Sequence, residues 1–237
     1  MEQRNVFSSG QPGLSERELT RRLRAAAAPG RRASPGNKPG NKPGNKIAGR
    51  RGDHDLNPGF RAPDSALVPA AVLVPLVTRP AGLTVLLTRR ADHLYAHAGQ
   101  ICFPGGQVEA GEDAVAAALR ETEEEVGLSR DRIEVVGRLD TYVTRTGFEV
   151  MPLVGLVRPP FRVVPDSFEV AEVFEVPLDF ILAPGSRRTE SRVYEGRRRH
   201  FYVFPYGNYY IWGATAGMLV NLIEVLTGRG EAAAHGD

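Results

Sequence analysis

Residues 120–128 read Arg-Glu-Thr-Glu-Glu-Glu-Val-Gly-Leu, and the chemistry they offer is ligation by oxygen. With a helical step of about 100° per residue, Glu121, Glu124 and Glu125 share one side while Glu123 points away. Like charges at that spacing cost a helix about 0.2–0.5 kcal/mol per pair. A solvated helix face, the plain explanation of such a run, ordinarily mixes signs. A divalent cation relieves the repulsion, because Mg²⁺ takes hard oxygen ligands and is usually held by one or two carboxylates plus substrate phosphates.

These acids need a helix to align them. Residues 113–126 are expected to supply it, ended by Gly127. Val115, Ala118, Leu119, Thr122 and Val126 form a separate face, expected to pack on a sheet. Strands are expected at 66–77, 83–88, 133–144 and 149–157, and 173–182 reads as a strand entering a short helix. Pro69 and Pro75 argue that the first strand bends or lies at an edge. The segments VYEG and RHFYVFPYG suggest a hairpin, and residues 212–228 a final helix. Strands and helices do not alternate strictly, so an α/β fold with a mixed sheet and helices on its faces is expected.

The 237 residues are 42% hydrophobic and 24% charged, enough for one fair-sized domain and a tail. Charge is unevenly placed: residues 1–65 carry 13 Lys and Arg against 6 Asp and Glu, and the remainder 17 against 22. Residues 1–51 read as a basic head, largely disordered. It contains a helix at 14–28, with Ser15 and Glu18 as a capping box, and a flexible PGNKPGNKPGNK linker at 35–46. The domain is expected over 52–228, with a tail at 229–237. The PGNK segment lacks the aromatic residues that single-strand binders interleave with their charges, so no nucleic-acid partner is expected. No apolar run of 18 or more residues and no apolar signal core occur, so neither a membrane span nor a leader is expected. The single cysteine, Cys102, excludes an intrachain disulfide and fits a reducing compartment, which points to the cytoplasm. A homodimer is left open.

Upstream of the glutamates stand Gly106 and Glu112, and downstream Gly127-Leu128. Gly106, Glu112, Arg120-Glu121, Glu124-Glu125 and Gly127 together resemble the Nudix box, with Thr122 where the family usually has an aliphatic residue. The resemblance implies an α/β/α sandwich with a mixed sheet, Mg²⁺ or Mn²⁺ as cofactor, and hydrolysis of a diphosphate linked to another moiety. It implies Glu121, Glu124 and Glu125 as metal carboxylates, with a backbone oxygen from Gly105 or Gly106. Arg120 would orient the glutamates with help from Glu112, and Glu124 would take the proton of water. Glu149, Glu169 and Glu172 stand as reserve bases.

The stretch LLTRRADHLYAHAGQICFPGG at 86–106 is similar to the signature of the coenzyme A pyrophosphatase branch. Leu86, Leu87, Thr88, Arg90, Ala91, Gly99 and Phe103 to Gly106 fit, whereas Tyr95 stands where that branch has arginine. Arg90 and Arg89, with Gly105 and Gly106, are the residues this resemblance sets against substrate. Residues 169–182 and 205–219 extend the likeness, which covers 52–228. It implies coenzyme A or an acyl derivative as substrate, giving adenosine bisphosphate and phosphopantetheine. The alternatives are a hydrolase of another nucleoside diphosphate derivative, such as ADP-ribose or a dinucleoside polyphosphate, and a ligand sensor without catalysis. The run RRRH at 197–200 reads as a solvated turn or as a contact for the extra phosphate on the ribose of coenzyme A. Tyr210 and Trp212 read as packing residues before an adenine platform.

Overall fold

Val68–Arg79 forms the middle of the sheet despite its two prolines. The computed structural model describes residues 14–27, 50–57, 66–94 and 97–228; the linker repeat, Tyr95 and the tail from 229 lie outside them. In chain order the elements are α1 (Glu16–Ala27), β1 (Arg50–Gly52), β2 (Val68–Arg79), β3 (Gly82–Arg90), β4 (Ile101–Cys102), β5 (Gly105–Gln107) and α2 (Ala114–Val126). There follow β6 (Ile133–Arg138), β7 (Thr141–Val143), β8 (Phe148–Val157), β9 (Val170–Pro177) and α3 (Leu178–Leu182). The last are β10 (Arg188–Tyr194), β11 (Arg197–Tyr206), β12 (Tyr209–Trp212) and α4 (Gly213–Thr227).

One mixed sheet runs β1-β7-β8-β2-β3-β4, with β5 on β2, β6 on β8 and β9 on β3. β8 lies parallel to β2 from Val68↔Phe148 to Val77↔Val157. The other side of β2 is shared: Ala70 to Val72 pair with β5, and Leu76 to Arg79 with β3. Pro69 and Pro75 fall just outside those two antiparallel stretches, where a missing N–H breaks no rung. The expected bent or edge strand is therefore central.

Helices cover both faces. Ala117 and Ala118 of α2 pack with Ala71 and Leu73 of β2 and Leu153 of β8. On the opposite face Val74, Leu76, Val154 and Leu156 share a core with Leu19 and Leu23 of α1 and Leu219 and Leu222 of α4. This is the expected α/β/α sandwich with a mixed sheet. Part of the basic head joins it. Leu19 and Leu23 are fully buried, the Arg24 guanidinium lies 3.2 Å from Glu134, and Arg158 pairs with Glu16. Of the capping box, the Ser15 half forms, with the Glu18 amide donating to Ser15 Oγ at 3.3 Å. The Glu18 carboxylate turns to Arg21 and Arg22 instead. Strands β10, β11 and β12 form a separate antiparallel sheet. No described helix is long and apolar enough to cross a membrane.

Candidate metal and diphosphate site

Local sequence sets the register of α2. The Asp113 carboxylate accepts the Ala116 amide at 2.8 Å and starts the helix. Gly127, at φ 67°, ends it in the left-handed region. Ala117, Ala118, Thr122 and Val126 are buried. Val115, expected on the packed face, is 38% exposed, and Ala117 takes its place. Thr122 donates its hydroxyl to the Ala118 carbonyl at 2.6 Å, which lets a polar residue sit where an aliphatic one is usual.

The three glutamates of the acidic stripe occupy three different environments. Glu124 is open to solvent, its side chain 60% exposed. Glu121 is partly buried, and burial raises its carboxyl, with the charges of Glu124 and Glu169 acting in the same direction against Arg120. Glu125 is 5% exposed. Burial pushes its carboxyl up to about 7, against the Gly105 amide, and the charge of Glu169 adds to the rise. The Gly105 N–H donates to Glu125 at 3.2 Å.

Two glycines make that approach possible. Gly105 sits at φ +150°, and a Cβ there would fall 2.3 Å from the Ala71 carbonyl oxygen. A Cβ on Gly106 would fall 2.4 Å from a Glu121 carboxylate oxygen. The β5 backbone and the acidic side of α2 are thus pressed together by the pairing of β5 with β2.

Arg120 gathers the stripe. Its guanidinium lies 2.8 Å from Glu112, 2.9 Å from Glu121 and 3.2 Å from Glu124, and also donates to the Gln107 carbonyl at 3.3 Å. The hydrogen bond with Glu112 holds Arg120 charged and lowers the Glu112 carboxyl.

Arg90 stands on the far side of Glu125, 3.8 Å from it and 3.9 Å from Glu169. Its Nε is buried with no hydrogen-bond partner. Glu169 was legible only as one acid among several; the pairing of Arg90 with Val170, across β3 and β9, brings it here. Arg89 is drawn the other way, to Asp92 at 3.3 Å and Glu172 at 3.4 Å. Tyr209 also donates to Glu172, at 2.6 Å. Glu149 pairs with Arg50. His93 packs edge-on against Phe168, and His97 bonds Gln100. Cys102 lies beside Thr88, and burial pushes its thiol up to about 11. A small recess lies elsewhere, lined by Arg51, Asp53, Tyr142, His200 and Gly217 among others, and holds none of the α2 glutamates.

The donors on α2 are oxygen only, negatively charged and partly desolvated, which suits a hard dication. As the side chains stand, Arg120 occupies the space between Glu121 and Glu124. Among the described residues no three His, Cys, Asp or Glu side chains are close enough to hold a metal ion.

The family model described as NUDIX domain matches residues 67–195, which include β2, the glycines of β5, α2 and Arg90. The chain is 40% identical over 156 residues to a protein named "Uncharacterized Nudix hydrolase NudL" from Yersinia pestis, covering 65% of this chain and 78% of the relative. A protein of the same name from Yersinia pseudotuberculosis gives the same figures. Among solved structures, a C. elegans Ap4A hydrolase binary complex aligns with a TM-score of 0.42 at 23% identity, over 46% of this chain and 80% of that one. The NUDIX domain of Shewanella oneidensis NrtR complexed with ADP ribose aligns at 0.39 and 19%, over 50% and 77%. The family match spans the acidic helix and strands that position it, and the Yersinia relatives are 40% identical over 78% of their length: this chain belongs to the Nudix hydrolase family.

Proposed function

We propose that the protein hydrolyses the diphosphate linkage of coenzyme A or its acyl derivatives. The observation that carries this reading is Arg90. Its guanidinium faces the buried Glu125 and leaves Nε unpartnered, at a residue of the Leu-Leu-Thr-x-Arg stretch similar to the coenzyme A branch. A guanidinium with free donor capacity beside metal-type carboxylates suits a phosphate oxygen.

The family generally requires a divalent metal. Glu121, Glu124 and Glu125, with the Gly106 carbonyl, are the residues that would hold Mg²⁺ or Mn²⁺. When bound, that ion neutralises diphosphate charge that otherwise repels a nucleophile. Arg90 then fixes one phosphate and sets the reacting phosphorus toward α2, with Gly105 and Gly106 leaving room for it. Arg89 stands beside it once released from Asp92 and Glu172. Arg120, anchored by Glu112, keeps Glu121 and Glu124 aligned. Glu124 accepts the proton of water at a carboxylate oxygen as the water oxygen bonds to phosphorus. The bond from that phosphorus to the bridging oxygen breaks, and the departing phosphate keeps the electron pair. The products are adenosine bisphosphate and (acyl-)phosphopantetheine.

The test is a panel of coenzyme A, ADP-ribose and dinucleoside polyphosphates with Mg²⁺ or Mn²⁺, with products identified by mass. Release of phosphopantetheine supports the reading. Turnover of only the other compounds would assign a different nucleoside diphosphate derivative, and binding without turnover would make the chain a sensor. Arg90→Ala is expected to raise KM for the preferred substrate about tenfold or more.

A further inference from the structure

Between residues 187 and 199 the chain carries six arginines against two glutamates, in a body that is otherwise acidic. β10 and β11 hold most of them. The register sets Arg192 opposite Arg199, Tyr194 opposite Arg197, and Val203 opposite Trp212. Alternation along a strand therefore places Glu190, Arg192, Tyr194, Arg197, Arg199, Phe201 and Trp212 on one face. Phe204 and Ile211, of the opposite face, are fully buried in the core.

The arginine face is built rather than merely charged. The Arg192 guanidinium lies 5.7 Å from the Phe201 ring and 5.6 Å from the Trp212 ring, and those rings meet edge to face at 5.4 Å. Glu190, the nearest acid in sequence, is engaged by the Tyr210 hydroxyl at 2.6 Å. Among the described residues no carboxylate pairs with Arg188, Arg192 or Arg197, whereas Arg51, Arg79, Arg90 and Arg120 each face one or more. An arginine ordered by aromatic rings and left without an acid suits an anionic ligand.

The hairpin tip also meets the turn between β7 and β8, from which backbone hydrogen bonds run to the strands beside α2. Tyr194, at the hairpin tip, lies under the Arg145 guanidinium at 3.9 Å. Arg145 sits in the turn that ends at Gly147, whose carbonyl accepts the Val68 amide. The next residue of β2, Pro69, accepts the Val108 amide, and adjacent Gln107 receives Arg120.

We propose that this face is a second phosphate subsite. It takes the part of the substrate remote from the cleaved bond, a nucleoside bearing a further phosphate monoester, with that phosphate on Arg192 and Arg197. The link to turnover rests on the chain being a diphosphate hydrolase; the binding itself does not. Trp212 is the only tryptophan in the chain, so its emission reports on the face directly. The experiment titrates the protein with adenosine 3′,5′-bisphosphate and with AMP, following that emission. The bisphosphate is expected to bind about tenfold or more tightly than AMP. The Arg192→Ala, Arg197→Ala double variant, checked for unchanged circular dichroism, is expected to bind both equally weakly. Equal affinities in the unmodified protein, or a preference that survives the double substitution, would overturn the subsite. Preferred bisphosphate binding in a protein that cleaves no diphosphate would uphold the subsite and remove the catalytic reading instead.

Discussion

The Glu121 carboxylate lies where a side chain on Gly106 would begin, 2.4 Å from the position of a Cβ. The neighbouring Gly105 has its conflict with backbone, at 2.3 Å from the Ala71 oxygen and at a positive φ. Equal substitutions should therefore fail differently. In Gly106→Ala the end of a flexible glutamate can move, so the fold is expected to survive and the metal ligand to be displaced. Activity should fall about 10–100-fold, with the melting temperature little changed. In Gly105→Ala the strained backbone and the clash with β2 fall on the fold itself, at a cost of about 1–3 kcal/mol or more. Thermal melts alongside rates, for both variants, check the distinction.

Much of the site could be read in one dimension because α2 is local: a cap at Asp113, a stop at Gly127 and the spacing of three glutamates all lie within one helix. What the helix meets was not legible. Glu125 reads as one more member of a charged stripe, yet it is buried against Gly105, because β5 pairs with β2 and presses its backbone onto that turn. Glu169 lies 79 residues from Arg90 in sequence and reaches it only through the pairing of β3 with β9. Pro75 argued against a central strand because its sequence cannot show that the neighbour of β2 changes beside it.

Glu175 gives a pH dependence away from the acidic helix. Burial raises its carboxyl, but hydrogen bonds from Arg79 and Thr84, with the Arg79 charge, outweigh that and leave it lowered. A lowered carboxyl binds fewer protons folded than unfolded, so its contribution is present at neutral pH and is lost as pH falls through the folded value. Glu175→Gln should cost about 1 kcal/mol at pH 7, allowing for solvent screening of a partly exposed pair, and less below pH 4. Denaturant melts across that range measure the convergence.

Helix α1 is expected to stabilise the domain although it belongs to the basic head. Leu23 is fully buried, and a Cβ on Gly137 of β6 would lie 3.0 Å from it. Leu23→Ala should destabilise by about 2–5 kcal/mol. A variant cut before Arg50 should lose at least as much, by urea denaturation.

Calorimetric titration of Mn²⁺ into the protein, with and without nucleotide, bears most directly on the acidic helix as a metal site. The account predicts saturable binding that is lost when Glu121, Glu124 and Glu125 are all changed to Gln in a variant that still folds. Equal binding by both proteins, or no uptake by the unmodified chain under either condition, would contradict it.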